Sequence, residues 1–463
     1  MKQKNQSAFS LTRLLALLLT AALLAAAGWS IARLTAVKKA KKPFVATARV
    51  KRLRAVLGLA CFGLCLLIPR AWRWLFPLGL PLWLAVGALL AWPVERGIYE
   101  LYFQDARRKL ADRPDLIRIG ITGSFGKTSV KTLLATMLSG RFQVLSTPSS
   151  FNTPMGLTRV IRERLEPAHQ IFLAEMGARH RGDIRELCRL VNPDHGVLTS
   201  VGAQHLDTFG SVEAIRETKY DLIRAIPETG VSFFPDDGGI CRELYERTEK
   251  PRRLVSLRAG SGADIWAEDI RVSPRGSGFT LCRGDERIAC ETRLLGAHNI
   301  QNLLLAAAVC AELGMSLKEI SRGISLVEPV EHRLQMLDNP GGVTLIDDAF
   351  NSNPAGASRA LEVLKAFPAK RMIVTPGMVE LGSEEAAYNR RFGEQMAESV
   401  DRAILVGPKH TAPIREGLLS RGFPEEAIHT VASLSEAADL MRQLAGPGDT
   451  VLFENDLPDN YTE

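Results

Sequence analysis

Three long uncharged runs stand at the start of the chain, over residues 14–32, 55–69 and 75–94. As a helix rising about 1.5 Å per residue, the first run nearly covers a hydrocarbon core of about 30 Å. This pattern predicts N-terminal transmembrane helices that form a membrane anchor over residues 1–96. We expect three spans, or two if the middle run is re-entrant. A cleaved signal peptide is the alternative for the first run, although the run is long for one.

Basic side chains are concentrated in the same region. Residues 1–109 hold 18 of the 58 Lys and Arg residues but only 3 of the 51 Asp and Glu residues, so the formal net charge of +7 hides a mildly acidic remainder. This balance indicates a charged membrane anchor, with lipid as a partner, and no nucleic acid. Most of the basic residues between the runs lie at 38–54, and the positive-inside rule places that loop in the cytoplasm. We therefore expect a multi-pass plasma-membrane protein whose remaining domains are cytoplasmic.

Beyond the anchor, short apolar strands alternate with helical stretches. The predicted strands lie at 116–122, 170–174, 197–201, 343–346, 372–375, 403–406 and 450–453. This alternation predicts an α/β fold with mostly parallel sheets. We expect a central domain over 97–328, which includes a small β-rich insertion within 235–296, and a smaller Rossmann-like domain over 329–463. The seven cysteines show no paired CxxC spacing, so neither a zinc ribbon nor a disulfide framework is predicted.

A glycine-rich turn follows the first of these strands. It reads GSFGKTS over 123–129 and leads into a helical pattern over 130–138. In a strand, glycine loop and helix arrangement, backbone N–H groups surround phosphate groups at the helix N-terminus. Lys127 would neutralise phosphate oxygens, and the Thr128 hydroxyl would bind Mg²⁺. The usual spacing fails at one point, because Ile121 stands where the first glycine is expected.

This turn resembles the shortened phosphate loop of the Mur ligases, the ATP-dependent amide-forming enzymes of peptidoglycan synthesis. Further motifs of that family follow in order between about 117 and 451. The sequence EMGARHRGD at 175–183 is most similar to the MurF branch, which adds D-Ala-D-Ala to a UDP-linked tripeptide. The resemblance implies an ATP-binding central domain and a Mur ligase C-terminal domain. It also implies that the loop residues bind the nucleotide: Gly123, Gly126, Lys127, Thr128 and Ser129.

Three downstream residues are candidates for a metal site. Glu175 ends a predicted strand beside the glycine loop, a position suited to a metal ligand, although an ordinary loop glutamate is the alternative. His205, within TSVGAQHLDTFGS at 199–211, is similar to the histidine of the family's metal site. By the same resemblance, Lys219 is the lysine that is often carbamylated in Mur ligases. An ordinary loop histidine and a solvated helix lysine are the alternatives. The resemblance implies that two Mg²⁺ ions are held by Thr128, Glu175, His205 and carbamylated Lys219.

Further motifs imply nucleotide contacts. GAHNIQN at 296–302 resembles the family segment that places Asn299 and Asn302 near the base and phosphates, although these residues would also cap a helix. Arg333 lies in a segment similar to that of the family's interdomain arginine, and its guanidinium would stabilise the transferring phosphoryl group. DDAFNSNP at 347–354 resembles the element in which Asp348 contacts the ribose, but Phe350 replaces a tyrosine.

The resemblance implies ATP-driven amide formation. A precursor carboxylate attacks the γ-phosphate to give an acyl phosphate, and an amine then displaces the phosphate. The expected partners are ATP, a cell-wall precursor with a free carboxylate, and an amino acid or dipeptide amine. Asn152 is a weak candidate for a contact with the precursor. The expected catalytic residues are Lys127, His205, Lys219 and Arg333.

Two C-terminal segments depart from the family pattern where the amine should bind. PGMVELG at 376–382 differs from the usual Gly-Asp-Met, and FENDLPD at 453–459 lacks the usual Lys-Gly-Ser-Arg. The sequence therefore leaves the amine open. The anchor also stands in place of the UDP-binding domain, so the acceptor is either UDP-linked or lipid-linked. The alternatives to a cell-wall ligase are a poly-γ-glutamate-type ligase and a non-catalytic ATP-binding membrane scaffold.

Overall fold

The computed structural model describes residues 46, 48–67, 80–148, 151–337, 341–350 and 352–456. The chain divides into two compact units, Met1–Tyr102 and Phe103–Glu463. The first unit contains the helix α1 (Ala48–Leu67) and most of the helix α2 (Leu80–Ala111). The second unit contains two sheets and the helices that cover them.

The predicted membrane anchor is not upheld by the helices of the first unit. Among the described residues, no helix is both long enough and apolar enough to cross a bilayer. The basic residues of α1 lie between 49 and 54, so its uncharged part is only about 20 Å long. In α2 the uncharged part contains Pro93 and ends at Glu95, after about 22 Å. The transmembrane part of the predicted fold class and the multi-pass membrane localisation are therefore wrong for these helices, and the run at 14–32 lies outside the described residues.

The first sheet of the second unit positions the glycine loop. Within the described residues it has nine strands, in the order β2-β3-β1-β4-β5-β6-β7-β8-β9. Neighbouring strands are parallel from β2 to β7, so their carboxyl ends meet at one edge, where open parallel sheets bind ligands. The strands are β1 (Ile117–Thr122), β2 (Val144–Ser146), β3 (Ile171–Glu175), β4 (His195–Leu198), β5 (Ser232–Pro235), β6 (Arg252–Ser256), β7 (Ile265–Ser273), β8 (Gly276–Arg283) and β9 (Glu286–Thr292).

The predicted β-rich insertion is part of this sheet. Strands β7, β8 and β9 are antiparallel and extend the parallel strands along one side. The helices of this region are α3 (Lys127–Leu138), α4 (Pro154–Arg164), α5 (Asp183–Val191), α6 (Leu206–Phe209), α7 (Val212–Ala225), α8 (Ile240–Arg247), α9 (Ala297–Glu312) and α10 (Leu317–Ser325). Helix α9 is buried along most of its length. Because it is rich in alanine, whose side chain is small, it packs closely against α3, the helix that follows the glycine loop.

The second sheet lies wholly after residue 328. Within the described residues it has six strands, in the order β10-β11-β15-β12-β13-β14, and all neighbours except β10 and β11 are parallel. The strands are β10 (Gln335–Leu337), β11 (Thr344–Asp348), β12 (Arg371–Thr375), β13 (Arg402–Val406), β14 (Ile428–Val431) and β15 (Thr450–Glu454). The helices are α11 (Pro354–Lys365), α12 (Glu385–Met396), α13 (Pro408–Ser420) and α14 (Leu434–Leu444). The α/β part of the predicted fold class is therefore confirmed, while the exact domain boundaries stay a prediction.

Candidate active site

The glycine loop joins β1 to α3 and needs both of its glycines. Gly126 has φ of +82°, a left-handed conformation that favours glycine. Gly123 lies so close to Thr199 that a Cβ atom at this position would overlap the threonine Oγ1. These constraints shape the turn that precedes the N-terminus of α3.

The chain that follows β4 holds the loop in place. The backbone N–H of Ser124 donates to the carbonyl oxygen of Ser200 over 2.9 Å, and the N–H of Phe125 donates to the Ser200 hydroxyl over 2.8 Å. The Ser124 hydroxyl donates in turn to the carbonyl oxygen of Gly202 over 2.9 Å. The segment 199–202 therefore supports the glycine loop. In the sequence this segment stood out only as the residues that precede His205.

Lys127 lies in the interior of the loop. Its Nζ donates to the carbonyl oxygens of Gly123 and Ser124, over 2.7 Å and 3.1 Å. The pKa of Lys127 is lowered to about 8, chiefly by burial; the Glu175 carboxylate opposes this shift and the charge of Arg333 adds to it. The loop thus holds a cation whose charged form an incoming anion would stabilise.

Glu175 ends β3 and gathers three donors. The Thr128 hydroxyl lies 3.1 Å and 3.2 Å from the two carboxylate oxygens, and the Asn152 amide donates to Oε1 over 3.2 Å. Lys131, buried on α3, forms an ion pair with Oε2 at 2.9 Å. The structure therefore brings the predicted Thr128, Glu175 and Asn152 together and adds Lys131. The available signal for Lys131 was a second lysine one helical turn after Lys127.

Lys219 is buried on α7 and points to the same loop. Its Nζ donates to the carbonyl oxygen of Gly123 over 2.9 Å. Burial lowers the pKa of Lys219 well below its ordinary value, and the nearby charge of Lys127 acts in the same direction. The interpretation of Lys219 as a solvated helix lysine is therefore wrong. Burial of this side chain favours its neutral amine form.

His205 lies just before α6, and its side chain contacts the loop that follows β12 in the second sheet. Its Nδ1 is 2.6 Å from Glu380 Oε2. Burial lowers the pKa of His205, although the Glu380 carboxylate opposes this shift. Glu380 was missed as a site residue because its segment, 376–382, stood out in the sequence only as a departure from the family pattern.

One cavity of about 550 Å³ lies beside the glycine loop, and Lys219 and Glu380 are outside its lining. Lys127, Glu175 and His205 line it, together with Arg333 from the segment before β10. Of the remaining predicted residues, its wall includes Gly126, Thr128, Ser129 and Asn152. Within the described residues, no group of three or more His, Cys, Asp and Glu side chains is close enough to hold a metal ion.

A smaller adjoining cavity, of about 70 Å³, contains the other predicted nucleotide contacts. Asn299, Asn302 and Asp348 line it, and Gly126, Ser129 and Arg333 border both cavities. The Asn299 amide donates to the carbonyl oxygen of Leu295 over 2.9 Å, which fixes this side chain at the start of α9. The two asparagines and the aspartate thus line one cavity, and their contacts with a nucleotide stay a prediction.

Arg333 and Asp348 form the edge of this smaller cavity. The Arg333 guanidinium lies 4.4 Å from the centre of the Phe350 ring, and burial lowers the pKa of Arg333. The Asp348 carboxylate accepts a hydrogen bond from the backbone N–H of Leu334 over 3.2 Å. Burial raises the pKa of Asp348 to about 6, while Arg333 opposes that shift. The aromatic ring at 350 therefore supports the arginine by stacking.

Arg359, on α11, is a further residue that the sequence analysis missed. Its guanidinium lies 4.7 Å from the centre of the Phe125 ring in the glycine loop, and both residues line the smaller cavity. Burial lowers the pKa of Arg359. A cation–π pair thus connects the second sheet's first helix to the phosphate-type loop.

A larger, more open cleft of about 1190 Å³ lies elsewhere, at the amino ends of β1 and β4. None of the predicted site residues lines it. Two of its arginines are paired with carboxylates, Arg118 with Asp194 at 2.8 Å and Arg185 with Asp221 at 2.9 Å. The two smaller cavities are the candidate site because the glycine loop and the predicted site residues line them.

A phosphate-type loop, buried cations and a second α/β sheet beside one cavity define a nucleotide-binding protein of two α/β domains. Comparison with family models matches residues 121–310 to the Mur ligase middle domain and residues 332–454 to the Mur ligase, glutamate ligase domain. The chain belongs to the Mur ligase family.

Relatives and solved structures agree with this assignment. The UDP-N-acetylmuramoyl-tripeptide--D-alanyl-D-alanine ligase of Mycobacterium tuberculosis is 32% identical over 360 residues, which cover 73% of this chain and 69% of the relative. The Bacillus subtilis ligase of the same name is 29% identical and covers 73% and 72%. The crystal structure of MurF from Acinetobacter baumannii aligns with a TM-score of 0.70 at 25% identity and covers 77% of each chain. The protein is thus a MurF-like, ATP-dependent ligase of peptidoglycan synthesis, as predicted.

Proposed function

We propose that the two cavities hold ATP and a precursor carboxylate, and that the enzyme forms an amide through an acyl phosphate. The observation that carries this proposal is the convergence of Lys127, Glu175, His205 and Arg333 on one cavity of about 550 Å³. Cations on several sides of a partly enclosed space stabilise the charge that spreads over a transferring phosphoryl group.

The nucleotide would lie across the glycine loop. Backbone N–H groups at the start of α3, with Gly123, Gly126 and Ser129 beside them, surround its phosphates. Asn299, Asn302 and Asp348 would contact the base and ribose in the smaller cavity. Lys127 would leave the carbonyl oxygens of the loop and pair with a phosphate oxygen.

The reaction then runs in two steps. A carboxylate oxygen of the precursor attacks the γ-phosphorus, the bond to the β-phosphate oxygen breaks, and ADP leaves. The amine nitrogen next attacks the acyl carbon, phosphate departs with the bonding electrons, and the amine loses a proton to give the amide. Lys127 and Arg333 offset negative charge in the first step, and Asn152 would hold the precursor. The stacked Arg333 is already ordered against Phe350, so little reorganisation is needed.

The residues around Glu175 also fit a magnesium ion. Thr128 and Glu175 present hard oxygen ligands close together, and His205 lines the same cavity. Lys219 favours its neutral amine, the form that reacts with carbon dioxide, and the resulting carbamate would supply further oxygen ligands. When bound, Mg²⁺ would offset charge on the phosphate oxygens.

The finer substrate identities are proposals too. The relatives are named for a UDP-linked muramoyl tripeptide and D-Ala-D-Ala, and we propose a precursor and a dipeptide amine of these classes. A lipid-linked acceptor and a poly-γ-glutamate-type ligase rested largely on the predicted anchor, and they lose that support. A non-catalytic scaffold would not require so many buried cations around one cavity.

Replacing Lys127 tests this function. Lys127→Ala should lower phosphate release by at least about 100-fold, because the variant removes a cation from the phosphoryl-transfer site. Release is measured with ATP, UDP-muramoyl tripeptide and D-Ala-D-Ala present together and with each omitted. Lys318→Ala, at an exposed position on α10, is the matched control. Turnover that needs both the acceptor and the amine supports a ligase, whereas full activity of Lys127→Ala or nucleotide binding without turnover contradicts it.

A further inference from the structure

Two residues that contact each other beside the cavity of about 550 Å³ have left-handed backbone conformations. His205 has φ of +53° and Glu380 has φ of +63°, although both carry a Cβ atom. Such conformations are unfavourable outside glycine and persist where the surroundings fix them. Their side chains meet with Nδ1 of His205 2.6 Å from Oε2 of Glu380.

This contact joins the two α/β domains. His205 lies in the loop after β4, in the first sheet, and Glu380 lies in the loop after β12, in the second. The backbone supports the same approach, because a Cβ atom at Gly382 would lie 3.5 Å from the Cα atom of Asp207. Both carboxyl edges therefore meet at this point.

The second carboxylate oxygen of Glu380 reaches another loop of the first sheet. Arg179 Nη2 lies 3.6 Å from Oε1, and Arg179 belongs to the loop after β3. The two loops are also bonded to each other, because the Thr208 hydroxyl donates to the carbonyl oxygen of Arg179 over 2.7 Å. One carboxylate thus holds the ends of two loops that border the cavity.

The contact also selects a form of the histidine. A neutral imidazole that donates its Nδ1–H to a carboxylate keeps its lone pair on Nε2. His205 lines the cavity, so its tautomer and ring orientation determine what it presents to a bound group. The side chains of His205 and Glu380 are only 15% and 18% exposed, which limits competition from water.

We propose that Glu380 is a positioning residue of the C-terminal domain that fixes the orientation of His205 in the central domain. Its effect on turnover rests on the proposed function, whereas its effect on the loop at 202–210 does not. Without the Glu380 carboxylate, His205 and Arg179 lose their shared partner, and the histidine loop loses its anchor in the C-terminal domain.

Hydrogen exchange and steady-state kinetics of the full chain test this coupling. Glu380→Ala should raise the exchange rates of the backbone amides at 208–210 about tenfold, because a hydrogen bond to a charged group is lost. It should lower kcat about 10- to 100-fold, as loss of a partner behind a site histidine does, with KM for ATP changed less than about twofold. Glu380→Gln keeps the shape and one acceptor, so we expect an intermediate effect on both measurements.

Glu384→Ala is the matched control, since Glu384 is an exposed acidic residue in the adjacent turn at 382–384. It should leave exchange and kcat unchanged. The proposal is overturned if Glu380→Ala exchanges like this control, or if only KM changes. If Glu380→Ala fails to fold, the same comparison is made with Glu380→Gln. Normal kcat in Glu380→Ala beside an inactive Lys127→Ala would reject the positioning role alone. Absence of turnover in the parent would reject the proposed function. The hydrogen-exchange rates at 208–210 would still show whether Glu380 stabilises the loop that carries His205.

Discussion

The carboxyl edges of the two sheets carry buried ionisable groups of opposite kinds. At the edge of the first sheet, Lys127 and Lys219 face the glycine loop, and burial lowers the pKa of each. At the edge of the second sheet, burial raises the pKa of Asp348 to about 6 and the pKa of Glu454 to about 7. The first edge therefore favours an anionic ligand, whereas at the second edge burial makes two carboxyl groups harder to ionise.

The two edges also differ in how far their polar groups are already satisfied. Glu454 accepts hydrogen bonds from the hydroxyls of Ser352 and Thr375, and the Asn455 amide donates to the carbonyl oxygen of Gly377 over 2.6 Å. Gly377 and Glu454 lie in the two segments that depart from the family pattern. These bonds join groups of the second domain to one another, whereas the edge of the first sheet opens onto a cavity. The two edges therefore differ in how many polar groups are left to contact a ligand.

We expect the largest loss of activity on substitution of Arg333, which lines both cavities. Arg333→Lys keeps the charge but loses the planar group that stacks on Phe350 at 4.4 Å. We expect phosphate release to fall about 1000-fold, as for loss of an arginine finger. Steady-state kinetics with acceptor and amine measure this, and Arg322→Lys, at an exposed position on α10, is the control. Near-normal rates would show that a positive charge at position 333 suffices and that the planar shape of the guanidinium is not required.

A smaller effect is expected at the contact between α11 and the glycine loop. Arg359→Ala removes the guanidinium that lies over the Phe125 ring and lines the smaller cavity. We expect KM for ATP to rise about tenfold with kcat less affected, because one contact near the nucleotide is lost. Arg275→Ala, at an exposed turn between β7 and β8, is the control. An unchanged KM would mean that the second sheet contributes to ATP binding only through Arg333 and Asp348.

The smallest expected effect concerns stability at the second edge. Burial raises the pKa of Glu454 from 4.5 to about 7, so the folded state binds more protons than the unfolded state between these values. Stability therefore falls as the pH rises through this window. Glu454→Gln cannot ionise, and at pH 8 its free energy of unfolding should exceed that of the parent by roughly 1–3 kcal/mol. The difference should nearly vanish below pH 4.5.

Denaturant titrations at several pH values measure this difference. Glu426→Gln, in the exposed turn at 425–427, is the matched control and should follow the parent. Some decline with pH should remain in Glu454→Gln, because the pKa of Asp348 is also raised, to about 6. Parallel curves for Glu454→Gln and the parent would contradict a protonated Glu454 in the folded state.

The sequence predicted the first edge well because strand ends and helix starts determine positions there. Glu175 follows an apolar strand and Thr128 starts a helix, and adjacent parallel strands place both at one edge. Lys131 was missed because a lysine within a helix gives no local sign of burial. Arg359 and Phe125 were missed because their contact joins segments far apart in the chain, which no local pattern indicates.

The anchor prediction failed for α1 and α2 for an identifiable reason. It rested on the lengths of uncharged runs, whereas the helix α1 begins several residues earlier and includes the basic residues between 49 and 54. Whether a helix can cross a bilayer depends on all of its residues. In α1 the basic residues belong to the same helix as the apolar residues that follow them. In α2, Glu95 also pairs with Arg52 of α1 at 3.2 Å, a contact that run lengths do not reveal.

The carbonyl oxygen of Gly123 accepts hydrogen bonds from both Lys127 and Lys219. Burial lowers the pKa of both lysines, and the charge of Lys127 lowers the pKa of Lys219 further. A nucleotide phosphate that draws Lys127 away relieves the crowding and restores its proton. Near pH 8, where Lys127 is partly neutral, nucleotide association is therefore coupled to proton uptake from the solvent, and its apparent affinity weakens as the solution becomes more alkaline.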